Sequence, residues 1–519
     1  MSILAAPSGT SAGTRPWAAC TTALLALLAM ALPAGESGTA LDQAQVVLKV
    51  RDGRWVDREA TRFAAAYGGD LAGIRGELAR MLFRTSSFDG IDLSRPSLLA
   101  WREGSAPLVA VIPISNRAAF LSAFGTVDDG EPPMVRTGER DGTVIYRQNQ
   151  PGGEWEYRLL VAGSVAYLAR TAQECQRLAS AIGQLGNEPT AAPLELIMRG
   201  DALRAPRLPG ANALASLPPL PFSPAEFASV PALAVNAWGG LSEQLASISI
   251  QARSDAQGNL LLNARFTARA DTSLASWISA QRPGTERLAS QLRSPDTAIL
   301  VSGRLSFQGQ AERWAFEQAD ELKSAAGARW NDAADGAYRG LCTLIERTGA
   351  FAVSVDRRGT GLVQSWVAEH PRAFEVVQSA ASVFAALHGG SSEQVKLGSR
   401  SATLATSGTA SSLFIAGDRH AARLDDKASG RAVNAAGDLM QRLDESGSLD
   451  AAPALLLAWI DLGRAWGAPP PAEGIPAEQV VVRGMVRPSS AQALDVLCEV
   501  PLAGMGRILG RMHKTTKND

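Results

Sequence analysis

The sequence predicts an α+β protein of two tandem homologous domains, each a mainly antiparallel sheet packed with helices. Three observations carry that expectation. Short apolar runs, some strictly alternating, recur between Gly-, Pro-, Asn- and Asp-containing turns, as strands joined by hairpins do. Between them lie stretches whose apolar residues return every three or four positions, the spacing of a helix with one buried face. The same succession of runs also occurs twice, in one order.

The chain opens with Arg15 before the apolar run Thr21 to Leu32, which gives way to Pro33 and the small residues around Ala34 and Ala40. One positive charge, a short greasy core and small residues beside a helix breaker make up a secretory signal peptide. Its core is near the ~7–15 residues of a signal and short of the ~20 that cross a bilayer. Residues 1–40 are therefore read as the signal, with Gly38-Thr39-Ala40 a better cleavage site than Leu32-Pro33-Ala34. The rival reading is an uncleaved N-terminal anchor, because Pro16 to Ala34 carries no charge. Cys20 stands before the apolar run, the wrong side for lipoprotein acylation. The expected location is periplasmic or secreted, with no integral membrane span once the signal is removed.

Domain one is expected over 41–283, domain two over 286–513, and a polar, frayed tail over 514–519. In the first, Leu98 to Trp101 and Leu108 to Ile112 read as two strands broken at Gly104-Ser105, with a helix from Asn116 to Phe124. In the second, Phe351 to Val355 and Leu362 to Val367 are broken at Arg358 to Gly361, with a helix from Arg372 to Leu387. Phe120 and Phe374, and likewise Val161 and Ile415, stand the same number of positions apart. The latter two belong to hairpin starts at Leu160 to Gly163 and Phe414 to Gly417, each followed by a polar helix (Gln173 to Ile182, Ala428 to Leu443). Pro231 to Val235 matches Pro453 to Leu457 at a shorter spacing, attributed to the Pro-rich stretch Pro189 to Pro224.

The last match is a pair of hairpins. Ile248, Ile250 and Ala252 turn through Asp255 to Asn259 into Leu262, Ala264 and Phe266; Val480 to Val482 turn at Pro488 to Ser490 into Leu494, Val496 and Cys498. Alternation with period two puts one face of such a hairpin on a core and the other against solvent or a helix. The repeat is far longer than the ~20–50 residues of solenoids, so it predicts two domains and no array.

Ile91-Asp92-Leu93-Ser94-Arg95-Pro96, the strand Leu98 to Trp101, then Val111-Ile112-Pro113-Ile114-Ser115 and Phe120 together resemble a family of large secreted proteins known from planctomycetes and related bacteria. In that family an acidic residue and a nearby Pro lead into two strands and a helix. Here Ser115-Asn116 stand where an acidic helix opener is usual. The resemblance implies export and a duplicated α+β architecture. That family carries no established activity, so no site residue follows from it.

Charge is balanced, with 50 Lys and Arg against 51 Asp and Glu, so no basic surplus points to nucleic acid. Cys175, Cys342 and Cys498 remain after the signal, far apart and flanked by apolar residues, and are expected as buried free thiols without a disulfide. His370, His388, His420 and His513 show no zinc-binding spacing, and solvated surface is expected for His370 and His420. No phosphate loop, Rossmann fingerprint or Gly-x-Ser-x-Gly elbow occurs. The Ser/Thr-rich stretch Ser399 to Ser412 reads as an exposed strand and loop, and Asp128 to Glu131 as a solvated turn. Asp332 and Asp335 share a helix face as a solvated pair, while Asp70, Asp271 and Asp461 cap helices or bind turn amides. Trp101, Trp238, Trp366 and Trp459 are expected in cores, and Trp155 is the best candidate for an exposed aromatic.

No catalytic, cofactor-binding or metal-ligating residue is assigned, and no cofactor is expected. The function that fits is an exported, non-catalytic envelope or periplasmic protein binding an unknown partner or ligand. A carrier of an apolar or lipid ligand, and an exported hydrolase with dispersed active-site residues, are the alternatives.

Overall fold

The computed structural model describes most of residues 44–518. Outside the described residues lie 1–43, 102–108, 125–133, 182–191, 204–240, 282–291, 307–322, 426–453, 467–479 and further stretches of one to three residues. The signal segment, the 283/286 boundary, the Pro189 to Pro224 stretch apart from residues 192–203, Pro231 to Val235, Trp238, Asp70, Asp128 to Glu131 and the helix at 428–443 fall there.

Among the described residues the alternating runs form twenty strands of one sheet. The first ten are β1 (Val46–Val50), β2 (Ser97–Trp101), β3 (Val109–Pro113), β4 (Val135–Arg140), β5 (Thr143–Gln150), β6 (Gly153–Ala162), β7 (Val165–Ala169), β8 (Leu194–Arg199), β9 (Leu245–Ser254) and β10 (Leu260–Ala268). The second ten are β11 (Thr297–Arg304), β12 (Ala350–Arg358), β13 (Gly361–Glu369), β14 (Ser391–Leu397), β15 (Arg400–Ser407), β16 (Ala410–Ala416), β17 (His420–Asp425), β18 (Leu456–Asp461), β19 (Val481–Ser490) and β20 (Ala493–Val500).

Every neighbouring pair is antiparallel. From edge to edge the order is β4-β5-β6-β7-β3-β2-β1-β8-β9-β10-β20-β19-β18-β11-β12-β13-β17-β16-β15-β14. Outward from the central β10–β20 pair, the two halves follow the same order of strands. β18 lies between β11 and β19 as β8 lies between β1 and β9. The segment at Ala454 to Leu457 leads into β18, the strand placed like β8, while its expected match, Pro231 to Val235, lies outside the described residues.

The two halves do not form separate sheets. An edge strand leaves a row of N–H and C=O groups unpaired, and β10 and β20 satisfy each other's, from Leu260 opposite Val500 to Thr267 opposite Ala493.

Among the described residues the α-helices are α1 (Gly53–Tyr67), α2 (Leu71–Phe83), α3 (Arg117–Ala123), α4 (Ala172–Ala181), α5 (Ser273–Ala280), α6 (Asp332–Ile345), α7 (Ala373–His388), α8 (Leu462–Trp466) and α9 (Leu502–Asn518). Local chemistry starts several of them. Asp52 caps α1 by accepting from the Arg54 and Trp55 amides, Asn116 caps α3 through Ala118 and Ala119, and Thr272 caps α5 through Ala275. Gly68, in the left-handed region at φ 69°, ends α1. The expected frayed tail is instead helical as far as Asn518, because α9 continues through it.

One side of the central strands is closed by α1 and α9. Ala252, Leu262 and Cys498, level with one another across β9, β10 and β20, join a core that includes Val50, Trp55, Val56, Val500 and Leu502. The Trp55 indole donates to Ser254 Oγ at 2.9 Å and ties α1 to β9. In the second half α7 packs Val377, Ala381 and Phe384 against Phe414 and Ala405 of the outer strands. Among the described residues no helix is long and apolar enough to cross a membrane.

Candidate functional site

Because side chains alternate across a strand, the residues between those of the helix-covered core point to the other side of the central sheet. Three rows cross it. The middle row runs Glu195, Gln251, Asn263, Leu497, Met485, Leu457 from β8 to β18. One flanking row runs Arg253, Leu261, Glu499, Arg483, Trp459, and the other Ser249, Arg265, Asp495, Arg487. The middle row is polar where the first half supplies it and apolar where the second half does.

This side bears a cavity of about 830 Å³, lined among others by Gln251, Arg253, Asn263, Trp459, Arg483 and Met485. Among the described residues its lining holds three arginines, Arg253, Arg483 and Arg487, against the one carboxylate of Glu499, and no histidine or serine. A second hollow, of about 330 Å³, lies between α6, α7, β14 and β15 and is lined by small and polar residues such as Ser379, Gln394 and Thr403.

The charges around the larger cavity are unevenly matched. The Asp495 carboxylate is taken by Arg265, whose Nε and Nη2 reach Oδ1 and Oδ2 at 2.8 and 3.2 Å, and Arg487 stands further off at 3.9 Å. Burial pushes the Asp495 carboxyl up, but hydrogen bonds from Arg265 and Ser489 and the charges of Arg265 and Arg487 outweigh it, so it lies below its usual range. Glu499 accepts from Asn259 Nδ2 at 3.0 Å and lies 3.7 Å from Arg483 Nη1, too far for a hydrogen bond. Beside the cavity, Glu195 gathers Lys49 at 3.1 Å, Arg51 at 3.0 Å and Gln251 at 3.4 Å. Burial raises its pKa, and these partners hold it below the ordinary carboxylate value.

Two groups are left over. Arg253 is exposed at the lining and has no partner among the described residues. The Oδ1 of Asn263 is buried without a hydrogen-bond partner. The cavity thus offers the guanidinium donors of Arg253, two arginines in loose ion pairs, an unsatisfied acceptor and an apolar floor, which is the chemistry of recognition. Cys498 sits on the helix-covered side, level with Leu262 and Gly484, where burial pushes its thiol up to about 11.

The residues singled out in the sequence are not brought together here. His370 is 1% exposed and not solvated: its Nε2 lies 2.9 Å from the Leu344 carbonyl oxygen, and its Nδ1 accepts from the Arg372 amide at 2.9 Å. These partners fix the tautomer with the proton on Nε2 and make the ring a plug at the start of α7. His420 is half-buried at the start of β17. Asp332 is exposed, and Asp335 does not pair with it: it accepts from Arg339, Lys323 and the Trp330 indole, which hold its carboxyl well below the usual range. Asp461 does bind a turn amide, that of Arg464 at 3.1 Å, whereas at α5 the cap is Thr272 and Asp271 takes a left-handed φ of 60°.

Ser399 to Ser412 spans two paired strands, β15 and β16, and Thr403 and Ser412 are buried in them, which corrects the reading as exposed strand and loop. Trp366 packs edge-on against Phe414, and Trp155 falls in β6. Trp459 is only half-buried and borders the cavity while touching the apolar cluster around Leu300 and Val367. Cys175, Cys342 and Cys498 are free thiols, the first two buried. Among the described residues no group of three or more His, Cys, Asp or Glu could hold a metal ion.

The cavity residues themselves left a trace in the sequence. Arg253, Arg265, Arg483, Arg487, Asp495 and Glu499 occupy alternate positions in hairpins of both halves. Charge recurring at period two marks the side of a sheet that no core covers.

No family model matches the chain, and no curated protein matches it. Among solved structures, crystal form IV of TP0453 aligns at 10% identity over 46% of this chain and 99% of that one, with a TM-score of 0.20.

Proposed function

We propose that this is an exported, non-catalytic envelope protein that binds a ligand on the side of the central strands opposite α1 and α9. The observation that carries the reading is the cavity of about 830 Å³, with Arg253 unpartnered and the Asn263 acceptor unsatisfied beside the apolar Leu497, Met485 and Leu457.

Two further parts of the reading rest on separate support. Descent of the halves from one duplicated unit is supported by their common strand order, with domain one over 41–283 and domain two over 286–513. Export is supported by the charge, apolar core and small residues of segment 1–40. The intact mass of the secreted form should begin near Gly35 or Leu41, and a mass that retains 1–34 would mean an anchor.

Binding is tested by thermal denaturation against a panel of envelope compounds: free acids, phospholipids, muropeptides and oligosaccharides. At least one should raise the melting temperature of the wild type and fail to do so for a variant combining Arg253→Ala with Met485→Asp. If no compound separates the two proteins, the reading fails.

A further inference from the structure

We infer that this cavity takes a single-chain anionic amphiphile, an extended acyl chain ending in a carboxylate. The inference rests on the binding role proposed for this side of the sheet and specifies its ligand class. Charge comes first. The lining has an excess of arginine over carboxylate, and its guanidinium groups are under-used. Arg253 has no partner among the described residues, Arg483 falls short of a hydrogen bond to Glu499, and Arg487 faces an Asp495 that Arg265 already occupies. Guanidinium donors in a fork fit a planar carboxylate with two parallel hydrogen bonds.

Shape and polarity come second. Along the middle row the polar groups, Gln251 and Asn263, belong to β9 and β10, and the apolar ones, Leu497, Met485 and Leu457, to β20, β19 and β18, with Glu499 and Arg483 flanking them. Starting from Arg253, a molecule crossing the strands meets Leu261 and Leu497, then Met485 and Leu457, and reaches Trp459. Trp459 rests on the buried apolar cluster of Leu300, Ala352 and Val367, so the path ends against its half-exposed ring. Four steps between strands at ~4.8 Å make ~19 Å, which an extended acyl chain of about sixteen carbons spans fully and one of a dozen spans for about three quarters of its length. A polyanion would find apolar side chains along half of this path, and an uncharged chain would leave the arginines unanswered.

The volume agrees, since small-molecule sites fall within ~300–1,000 Å³. Apolar area removed from water supplies most of the affinity, and the head at Arg253 sets the direction.

The experiment is calorimetric titration of the purified protein with sodium laurate below its micelle concentration, at pH 8, with dodecanol as the uncharged control. Laurate should bind at about one equivalent and dodecanol at least about tenfold more weakly. Arg253→Ala should weaken laurate about 10–100-fold, the loss of a charge-assisted hydrogen bond. Laurate should also change the fluorescence of the wild type, and this change should shrink in Trp459→Phe. Arg253→Ala should keep the wild-type unfolding midpoint, since Arg253 is exposed and lies in no core.

Laurate binding that is unchanged in Arg253→Ala, or matched by dodecanol, would overturn the inference. So would silence toward laurate while another compound of the panel binds in an Arg253-dependent way; the binding role would then stand and this ligand class would fall. Silence toward every compound would remove both.

Discussion

Gly510 of α9 and Tyr67 of α1 meet backbone against backbone: a Cβ on Gly510 would lie 2.3 Å from the Tyr67 carbonyl oxygen. One turn earlier, a Cβ on Gly506 would stand 3.0 Å from the Phe63 carbonyl oxygen. The pair of glycines lets α9 lie directly on α1, and Leu509 joins Phe63, Ala64 and Tyr67 in the seam. The helix lid over the central strands therefore depends on two missing side chains.

Gly510→Ala should destabilise the protein by about 1–3 kcal/mol, the usual cost of overpacking. The obstructing atom is a backbone oxygen that cannot rotate away, so the helices must separate. Denaturant unfolding measures the loss. An unchanged midpoint would mean that α9 is not docked on α1 in solution.

The Asp495–Arg265 pair sets an acid limit. A carboxyl whose folded pKa is depressed contributes stability that is fully present above its unfolded pKa and is lost as pH falls through the folded value. Asp495 is of this kind, and so is Glu195. The wild type should lose stability steadily as pH falls below about 4. Asp495→Asn should be less stable at pH 7 by about 1–3 kcal/mol, toward the lower figure because the Arg265 side chain is half-exposed. The gap should close as the pH falls, because the wild-type carboxyl is then also neutral. A constant gap from pH 7 to pH 3, read from chemical unfolding, would contradict the assignment.

The thiols give a chemical check on the core. Cys175 is fully buried, its sulfur lies 3.2 Å from the Arg158 carbonyl oxygen, and desolvation pushes its pKa up to about 11. The reactive species is the thiolate, so neither Cys175 nor Cys498 should react with an aromatic disulfide at pH 8 in the native state. After denaturation without reductant, the chain from residue 41 onward should release three thiols. Recovery of one would mean that two are bridged.

How much of this was legible in the sequence depends on the range of the interaction involved. The β9–β10 and β19–β20 hairpins are local, and their period-two alternation with Asp255 to Asn259 or Ser490 at the turn marks them directly. The caps at Asn116 and Asp461 are equally local. The union of the two halves into one sheet is not, since Ala264 and Val496 are brought opposite each other from distant parts of the chain. Nothing within either strand specifies the other as partner. The cavity was illegible for the same reason, being assembled from Arg253, Asn263, Met485 and Trp459 by that junction. The sequence does mark these residues as the polar or half-exposed phase of their strands, without saying what they meet.

His370 separates local pattern from tertiary burial most sharply. A histidine before Pro371 at a helix start reads as surface, yet this ring is sealed beneath the Leu344 carbonyl and the Arg372 amide. A solvated histidine could be replaced at a cost within about 0.5 kcal/mol. In the buried arrangement each lost partner leaves a polar group stranded, at about 1–3 kcal/mol. His370→Ala should therefore lower stability by about 2–4 kcal/mol once the lost packing is included. His370→Phe discriminates further: it restores ring volume but neither hydrogen bond, so it should remain destabilised by at least about 1 kcal/mol. Wild-type unfolding midpoints in both variants would return His370 to the surface and remove the plug at the start of α7.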